Sequence, residues 1–337
     1  ASTVRNAVRA ALTPPFGPVA LVCPPDLLEH EIDATPAGVQ APRLGGLAAT
    51  DAAAISALLQ QAQNPAFVAA EEVYWHDAAA ALRVLAEALG APVYVAPYTG
   101  TLPIDASSSS FGGYLSPSFA SINARLAEHD LLVFAGGRTL RTTLYSEPAL
   151  PQPKIWLGDD PSVLAPAGEY QAAHLVDLRA ALQDLRDASK ESGAARAGGS
   201  AQRGHGAREL RRWRPEAMLP EAEHGVLHPT LALHAILQAL GDAIVFDEAG
   251  LSTSDVRQSM QCAAGSYFTN GSGGIGWGLA AAVGAAIGRD DRQVVAIIGD
   301  GSSLYASEAL WSAVHHAARL LLVVLSNRRY ATLNAAA

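Results

Sequence analysis

Apolar positions along the chain follow two rhythms. Short, largely apolar segments at 67–73, 92–97, 131–135, 154–157, 243–246, 294–298 and 320–325 read as strands, and the unbroken run at 294–298 suits one buried on both faces. Between them lie longer segments with apolar residues at every third or fourth position, the period of a half-buried helix. Helices are predicted over 51–62, 77–89, 119–128, 229–240 and from a glycine turn at 270–276 through 287, with Asp51 as the cap of the first. One further helix is predicted between the last two runs, opened by Ser302 and Ser303 and carrying Leu304, Ala309, Leu310 and Ala313. Such strand–helix alternation predicts an α/β fold of parallel sheets flanked by helices, because a crossover helix returns the chain to begin the next strand in the same direction.

The pattern also divides the chain. A helix at 4–12, a Pro-Pro-Phe-Gly-Pro turn and a strand at 19–23 are too little to build a core, so residues 1–32 read as the tail of a domain. Pro36, Gly38, Pro42, Gly45 and Gly46 mark 33–46 as a linker, and 47–188 reads as a middle α/β domain. Residues 189–226, rich in Gly, Ala, Ser and Arg, read as a second linker in which His205 and His224 are solvated. Residues 227–337 form the last domain.

Candidate chemistry gathers in that last domain. The run at 294–298 stops at Gly299-Asp300-Gly301, and the run at 320–325 stops at Ser326-Asn327. If these strands are parallel neighbours, Asp300 and Asn327 share the carboxyl edge of the sheet, where open α/β sheets bind ligands. A carboxylate and an amide oxygen are hard donors, suited to Mg²⁺ or Ca²⁺ rather than Zn²⁺. A glycine turn opening a helix favours phosphate. Two more turns, at 248–253 and 270–276, are placed on the same edge. The second contains a literal G-x-G-x-x-G (Gly271, Gly273, Gly276), but no strand is expected to feed it, and Asp290-Asp291 precede the next strand rather than end it. Gly136-Gly137-Arg138 also lacks that fingerprint, so the middle domain reads as structural.

Composition narrows the partners. Half of the 337 residues are hydrophobic and 16% are charged, enough for two cores. A net charge of −9 without a basic stripe argues against nucleic acid. No run of about 18 apolar residues is present to span a membrane. Two cysteines, Cys23 and Cys262, without CxxC spacing, and no signal peptide at the start, fit a cytoplasmic location. His315-His316 read as packing or surface residues, since no acid or third ligand accompanies them.

The GDG-to-Asn spacing, together with GGIGWGLAAAVGAA, VVAIIGDGSSLYASEALWSA and VVLSNRRYATL, resembles the thiamine diphosphate-dependent 2-oxo acid decarboxylase superfamily, and within it the benzoylformate decarboxylase type. The resemblance implies a thiamine diphosphate-binding fold with a Rossmann-like middle domain. It implies Mg²⁺ held by Asp300, the side chain of Asn327 and the backbone carbonyl of Arg329. It places Gly301, Ser302, Tyr330, Gly250 and Leu251 at the diphosphate. Ile275, beside Gly274, matches the apolar residue that bends the cofactor. A small 2-oxo acid substrate and a homodimer or homotetramer are implied as partners.

There are departures. Ser326 replaces the first Asn of the family's pair. The family's catalytic His in the middle domain has no counterpart, Ser108 being nearest. The activating Glu belongs to a first domain that this chain is expected to lack, as it is expected to stop short of the family's closing helix, so the chain alone is expected to be inactive. Two other members of the picture are an acetolactate synthase-like carboligase carrying FAD on the middle domain, and a homologue that has lost catalysis.

Overall fold

The computed structural model describes residues 2–29, 38–137, 140, 150–163, 169–191, 219–221, 228–271 and 273–328. Arg138, His205, His224, Arg329, Tyr330 and most of the expected linker at 189–226 lie outside the described residues, as does part of that at 33–46.

The chain opens with helix α1 (Ser2–Ala11), which buries none of its residues. The expected strand at 19–23 does not form; the segment is exposed and has no pairing among the described residues. A strand is stable only when a neighbour satisfies its backbone groups.

Residues 49–191 build a six-stranded sheet. Its elements are α2 (Ala49–Gln61), β1 (Pro65–Ala69), α3 (Glu72–Trp75), α4 (Ala79–Leu89), β2 (Val93–Val95), β3 (Phe111–Tyr114), α5 (Phe119–Leu126), β4 (Leu131–Ala135), β5 (Lys154–Gly158), β6 (Ala172–Leu175) and α6 (Leu178–Glu191). Strand order is β3-β2-β1-β4-β5-β6 and every pairing is parallel. Ile55, Leu59, Leu82, Leu85, Leu182 and Leu185 of α2, α4 and α6 bury one face, while Ile122 and Leu126 of α5 bury the other. Three local expectations change. β1 ends at Ala69 rather than 73, because α3 starts there with Glu72 in its first turn, where a carboxylate suits the helix dipole. Asp51 sits within the first turn of α2; Ala48 is the cap residue and makes no side-chain bond. β3, with two glycines, was not expected as a strand; Gly112 lets it lie against Tyr94, whose ring a Cβ at that position would approach to 2.8 Å.

Residues 229–325 build a second sheet: α7 (Pro229–Leu240), β7 (Ile244–Glu248), α8 (Thr253–Ser259), β8 (Tyr267–Thr269), α9 (Trp277–Gly288), β9 (Val294–Gly299), α10 (Asp300–Ser303), α11 (Ala309–His315) and β10 (Leu320–Leu325). Strand order is β10-β9-β7-β8, again all parallel. The residues of β9 from Val294 to Ile298 are buried, as the unbroken apolar run required. Val245 and Val295 face α7 and α8 across one core, and Ile244, Phe246 and Ile298 face Leu279, Ala282 and Val283 of α9 across another. Two corrections follow. The three-residue β8 does feed the glycine turn at 270–276, and the single helix expected after Asp300 is the one-turn α10 followed by α11.

The two sheets are joined through the edge at β8. Thr101 forms an antiparallel bridge with Phe268, Thr269 donates its N–H to the Gly100 carbonyl at 2.8 Å, and Asp105 accepts the Ala264 N–H at 2.7 Å. The half-buried Arg257 completes the seam, donating to the Thr99 carbonyl and to the Tyr267 hydroxyl while lying over the rings of Tyr114 and Tyr267.

Candidate functional site

In the second sheet the chain steps from β7 outward to β8, crosses back through α9 to β9 on the other side of β7, and continues outward to β10. The direction of winding reverses between β7 and β9. At such a switch point the connecting loops part, leaving a crevice beyond the carboxyl ends of the strands. Gly250 and Leu251 follow β7, and Asp300, Gly301 and Ser302 follow β9, so the predicted residues flank this crevice. Gly274 and Ile275 lie in the turn between β8 and α9, and Asn327 follows β10. Gly250 has φ +61°, a conformation that favours glycine at the sharp exit from β7. Leu251 is 55% exposed and Ile275 50% exposed, two large apolar side chains that the described fold leaves in solvent at this edge.

Asp300 is fixed by the end of the neighbouring strand. Leu325 pairs with Gly299, which brings the residues just beyond them together. The Asp300 Oδ2 accepts the Arg328 N–H at 2.8 Å and the Ser326 hydroxyl at 3.3 Å, and Oδ1 accepts the N–H of Gly301 at 3.0 Å. Asn327 thus stands between two residues that touch the carboxylate. Arg328 has φ +55°, an uncommon conformation for a residue with a side chain, as the chain turns sharply over Asp300. Ser326, the departure from the expected Asn pair, hydrogen-bonds to Asp300. A carboxylate with a neighbouring amide fits a hard divalent cation, and no group of three or more His, Cys, Asp or Glu that could hold a metal is present among the described residues. Because α10 is a single turn, its dipole is weak, and the Gly301 N–H at its start is taken by Asp300.

Two residues that the pattern of the chain did not single out organise these turns. Asp247 and Glu248 end β7, and the alternation of a strand sends them to opposite faces. Asp247, fully buried, accepts the Ala249 N–H at 2.8 Å, the Thr253 hydroxyl at 3.1 Å and the Tyr267 hydroxyl at 2.7 Å, so it shapes the turn containing Gly250. Burial pushes its carboxyl pKa up, partly offset by these donors. Glu248, on the other face, accepts the N–H of Gly276 at 2.5 Å and of Gly278 at 2.6 Å. The only sequence signal was two adjacent acids ending a buried strand.

The first sheet has its own switch point, between β1 and β4, and this one is filled. Glu72 enters it from α3, and Gly136 and Gly137, both with positive φ, make room. A Cβ at Gly136 would lie 2.6 Å from the Glu72 Oε2. Among the described residues that oxygen has no hydrogen-bond partner, and burial, helped by Glu71 and Asp159, pushes the carboxyl up to about 7. Nearby, His76 bridges Asp159 and Asp177, each at 3.1 Å. Elsewhere Ser108 turns inward to within 3.0 Å of the Ser110 hydroxyl, and His315 stacks on Trp311 at the surface.

Comparison with known proteins gives this arrangement its class. Residues 52–185 match "Thiamine pyrophosphate enzyme, central domain" and residues 248–336 match "Thiamine pyrophosphate enzyme, C-terminal TPP binding domain". The chain belongs to the thiamine pyrophosphate enzyme family and carries these two of its domains. Among its relatives is benzoylformate decarboxylase of Pseudomonas aeruginosa, 30% identical over 97% of this chain; the chain spans 61% of that protein's length. The thiamine diphosphate-dependent 4-hydroxybenzoylformate decarboxylase of Rhodococcus jostii RHA1 superposes with a TM-score of 0.76 at 28% identity, over 99% of this chain and 62% of that one. Benzoylformate decarboxylase from Polynucleobacter necessarius, at 22% identity, shares the fold with a TM-score of 0.83 over 98% of this chain and 61% of its own. An acetolactate synthase large subunit from Parasynechococcus marenigrum is 27% identical over 97% of this chain and spans more, with 54% of its length covered. No helix among the described residues is long and apolar enough to cross a membrane.

Proposed function

We propose that this chain is the cofactor-holding part of a thiamine diphosphate- and Mg²⁺-dependent enzyme that decarboxylates a small 2-oxo acid, of the benzoylformate decarboxylase type. The observation that carries the reading is Asp300, tied to the end of β10 beside Asn327 at the switch point of the second sheet. Asp300, Asn327 and the Arg329 carbonyl would hold the metal. Gly301, Ser302 and Tyr330, with Gly250 and Leu251, would receive the diphosphate. Gly274 and Ile275 would press on the middle of the cofactor. When bound, the cofactor supplies a nucleophilic carbon and an electron sink for loss of CO₂. The protein's share is placement: the chain's own residues fix the metal and both ends of the crevice, and the exposed Leu251 and Ile275 exclude water once covered.

The filled crevice of the first sheet favours a decarboxylase over a flavin-carrying carboligase. Glu72 stands where a nucleotide diphosphate would approach, and its negative neighbours Glu71 and Asp159 would repel one. Homo-oligomeric assembly and a cytoplasmic location belong to the same reading.

The test is titration of the full-length protein with thiamine diphosphate in Mg²⁺, repeated in EDTA, followed by CO₂ release from phenylglyoxylate and from pyruvate. Metal-dependent binding with turnover of the aromatic acid is expected. Binding without turnover of any 2-oxo acid would support the non-catalytic homologue, and FAD retained through purification would support the carboligase.

A further inference from the structure

Helix α9 runs for three turns from Trp277 to Gly288, and its first N–H groups carry the positive end of the helix dipole at the edge of the crevice. A free end of this kind beside a diphosphate site would compete for the anion. Here it is closed from within. Gly276 at the cap and Gly278 in the first turn both donate to Glu248, one to each carboxylate oxygen, at 2.5 and 2.6 Å. The carboxylate is buried and charge-assisted bonds of this type are the strong ones. Close approach is built in: a Cβ at Gly278 would lie 2.8 Å from the Glu248 Cβ, and one at Gly276 would lie 2.9 Å from that of Tyr305.

Gly274 and Ile275 immediately precede this clamp, in a turn that buries little and has no helix or strand of its own. Asn270 closes its other side, donating to the Gly274 carbonyl at 2.6 Å. We infer that Glu248 is a positioning residue: it fills the N-terminus of α9, leaves no second anion site there, and holds the Gly274–Ile275 turn at a set height over the crevice. This inference rests on the cofactor reading above and assigns to it a residue that touches neither metal nor phosphate. Because Glu248 extends from the same strand end as Gly250, one rigid strand sets two of the three turns at once.

The role is tested in the full-length protein by a double-mutant cycle read as the thiamine diphosphate dissociation constant in saturating Mg²⁺. Glu248→Gln keeps the shape but can accept only one of the two N–H bonds, and should weaken cofactor binding by about tenfold or more. Glu248→Ala should weaken it further, while each folds by circular dichroism. If Glu248 acts through the turn, adding Glu248→Gln to Ile275→Ala should change affinity by less than about threefold. Additive losses, or wild-type affinity in both Glu248 variants, would overturn the inference and leave the cofactor reading intact. An Ala variant that fails to fold leaves the Gln cycle decisive. Wild-type protein that binds no cofactor would remove both.

Discussion

Gly136 and Glu72 occupy the same small volume at the switch point of the first sheet: the glycine has no Cβ, and the carboxyl of Glu72 lies where that atom and its neighbours would be. The contact leaves a buried acid whose Oε2 has no partner among the described residues, its pKa pushed from 4.5 to about 7. In the unfolded chain the group releases its proton near 4.5, so the folded state binds more protons between that value and about 7. Stability therefore falls as pH rises through this window, by up to about 3 kcal/mol.

Glu72→Gln keeps the volume and removes the charge. The variant should match wild type at about pH 4 and exceed it by about 1–3 kcal/mol at about pH 8 in urea denaturation. His76 works in the same direction. Burial alone would lower its pKa, but the hydrogen bonds to Asp159 and Asp177 outweigh burial and raise it, so its stabilisation is also lost as pH rises through the folded value. A Glu72→Gln effect that is the same at both pH values would refute the buried-acid account.

Asp300→Asn should separate metal binding from folding. One oxygen remains to accept from Arg328 or Ser326, so melting of the cofactor-free protein should shift little. Affinity for thiamine diphosphate in Mg²⁺ should fall about a hundredfold, as loss of a charged ligand predicts. A large drop in melting temperature with unchanged affinity would reassign the carboxylate to a structural role.

Ile275→Ala removes a side chain that is half exposed, so its cost in stability should stay below about 0.5 kcal/mol. Turnover should fall by about tenfold or more, because placement of the reacting groups is sensitive to small shifts. Steady-state rates beside thermal melts decide it, and retained turnover would deny the residue its place against the cofactor.

Two glycines of neighbouring sequence should respond oppositely to alanine. Gly276, at φ +95° and against Tyr305, should cost about 1–3 kcal/mol. Gly284, exposed within α9 with nothing within 4 Å of a Cβ, should gain about 0.5–1 kcal/mol from the lost freedom of the unfolded chain. Calorimetric melts of the two variants check both signs, and equal shifts would contradict them.

Legibility along the chain followed burial. The runs at 131–135 and 294–298 were readable because a strand covered on both faces leaves few polar positions. The run at 320–325 was readable as an apolar strand although β10, at the sheet edge, buries none of its residues fully, and its parallel pairing with β9 brought Asp300 to the end of β10. β3 and β8 were not, since Phe-Gly-Gly-Tyr and Tyr-Phe-Thr are too short for a period to show, and their pairing partners make them strands. The strand at 19–23 failed for the converse reason, an apolar run with no pairing neighbour among the described residues.

The sequence by itself determined the alternation of strands and crossover helices, the carboxylate between two glycines at a strand end, and the hard-donor amide one unit later, because these depend on local chemistry and spacing. The tertiary structure alone decided that β7 lies between β8 and β9, that the winding reverses there, and that Asp247 and Glu248 reach opposite faces to shape the turns around the crevice. Neighbours across a parallel sheet are chosen by how the crossover helices pack, and no spacing along the chain encodes that choice.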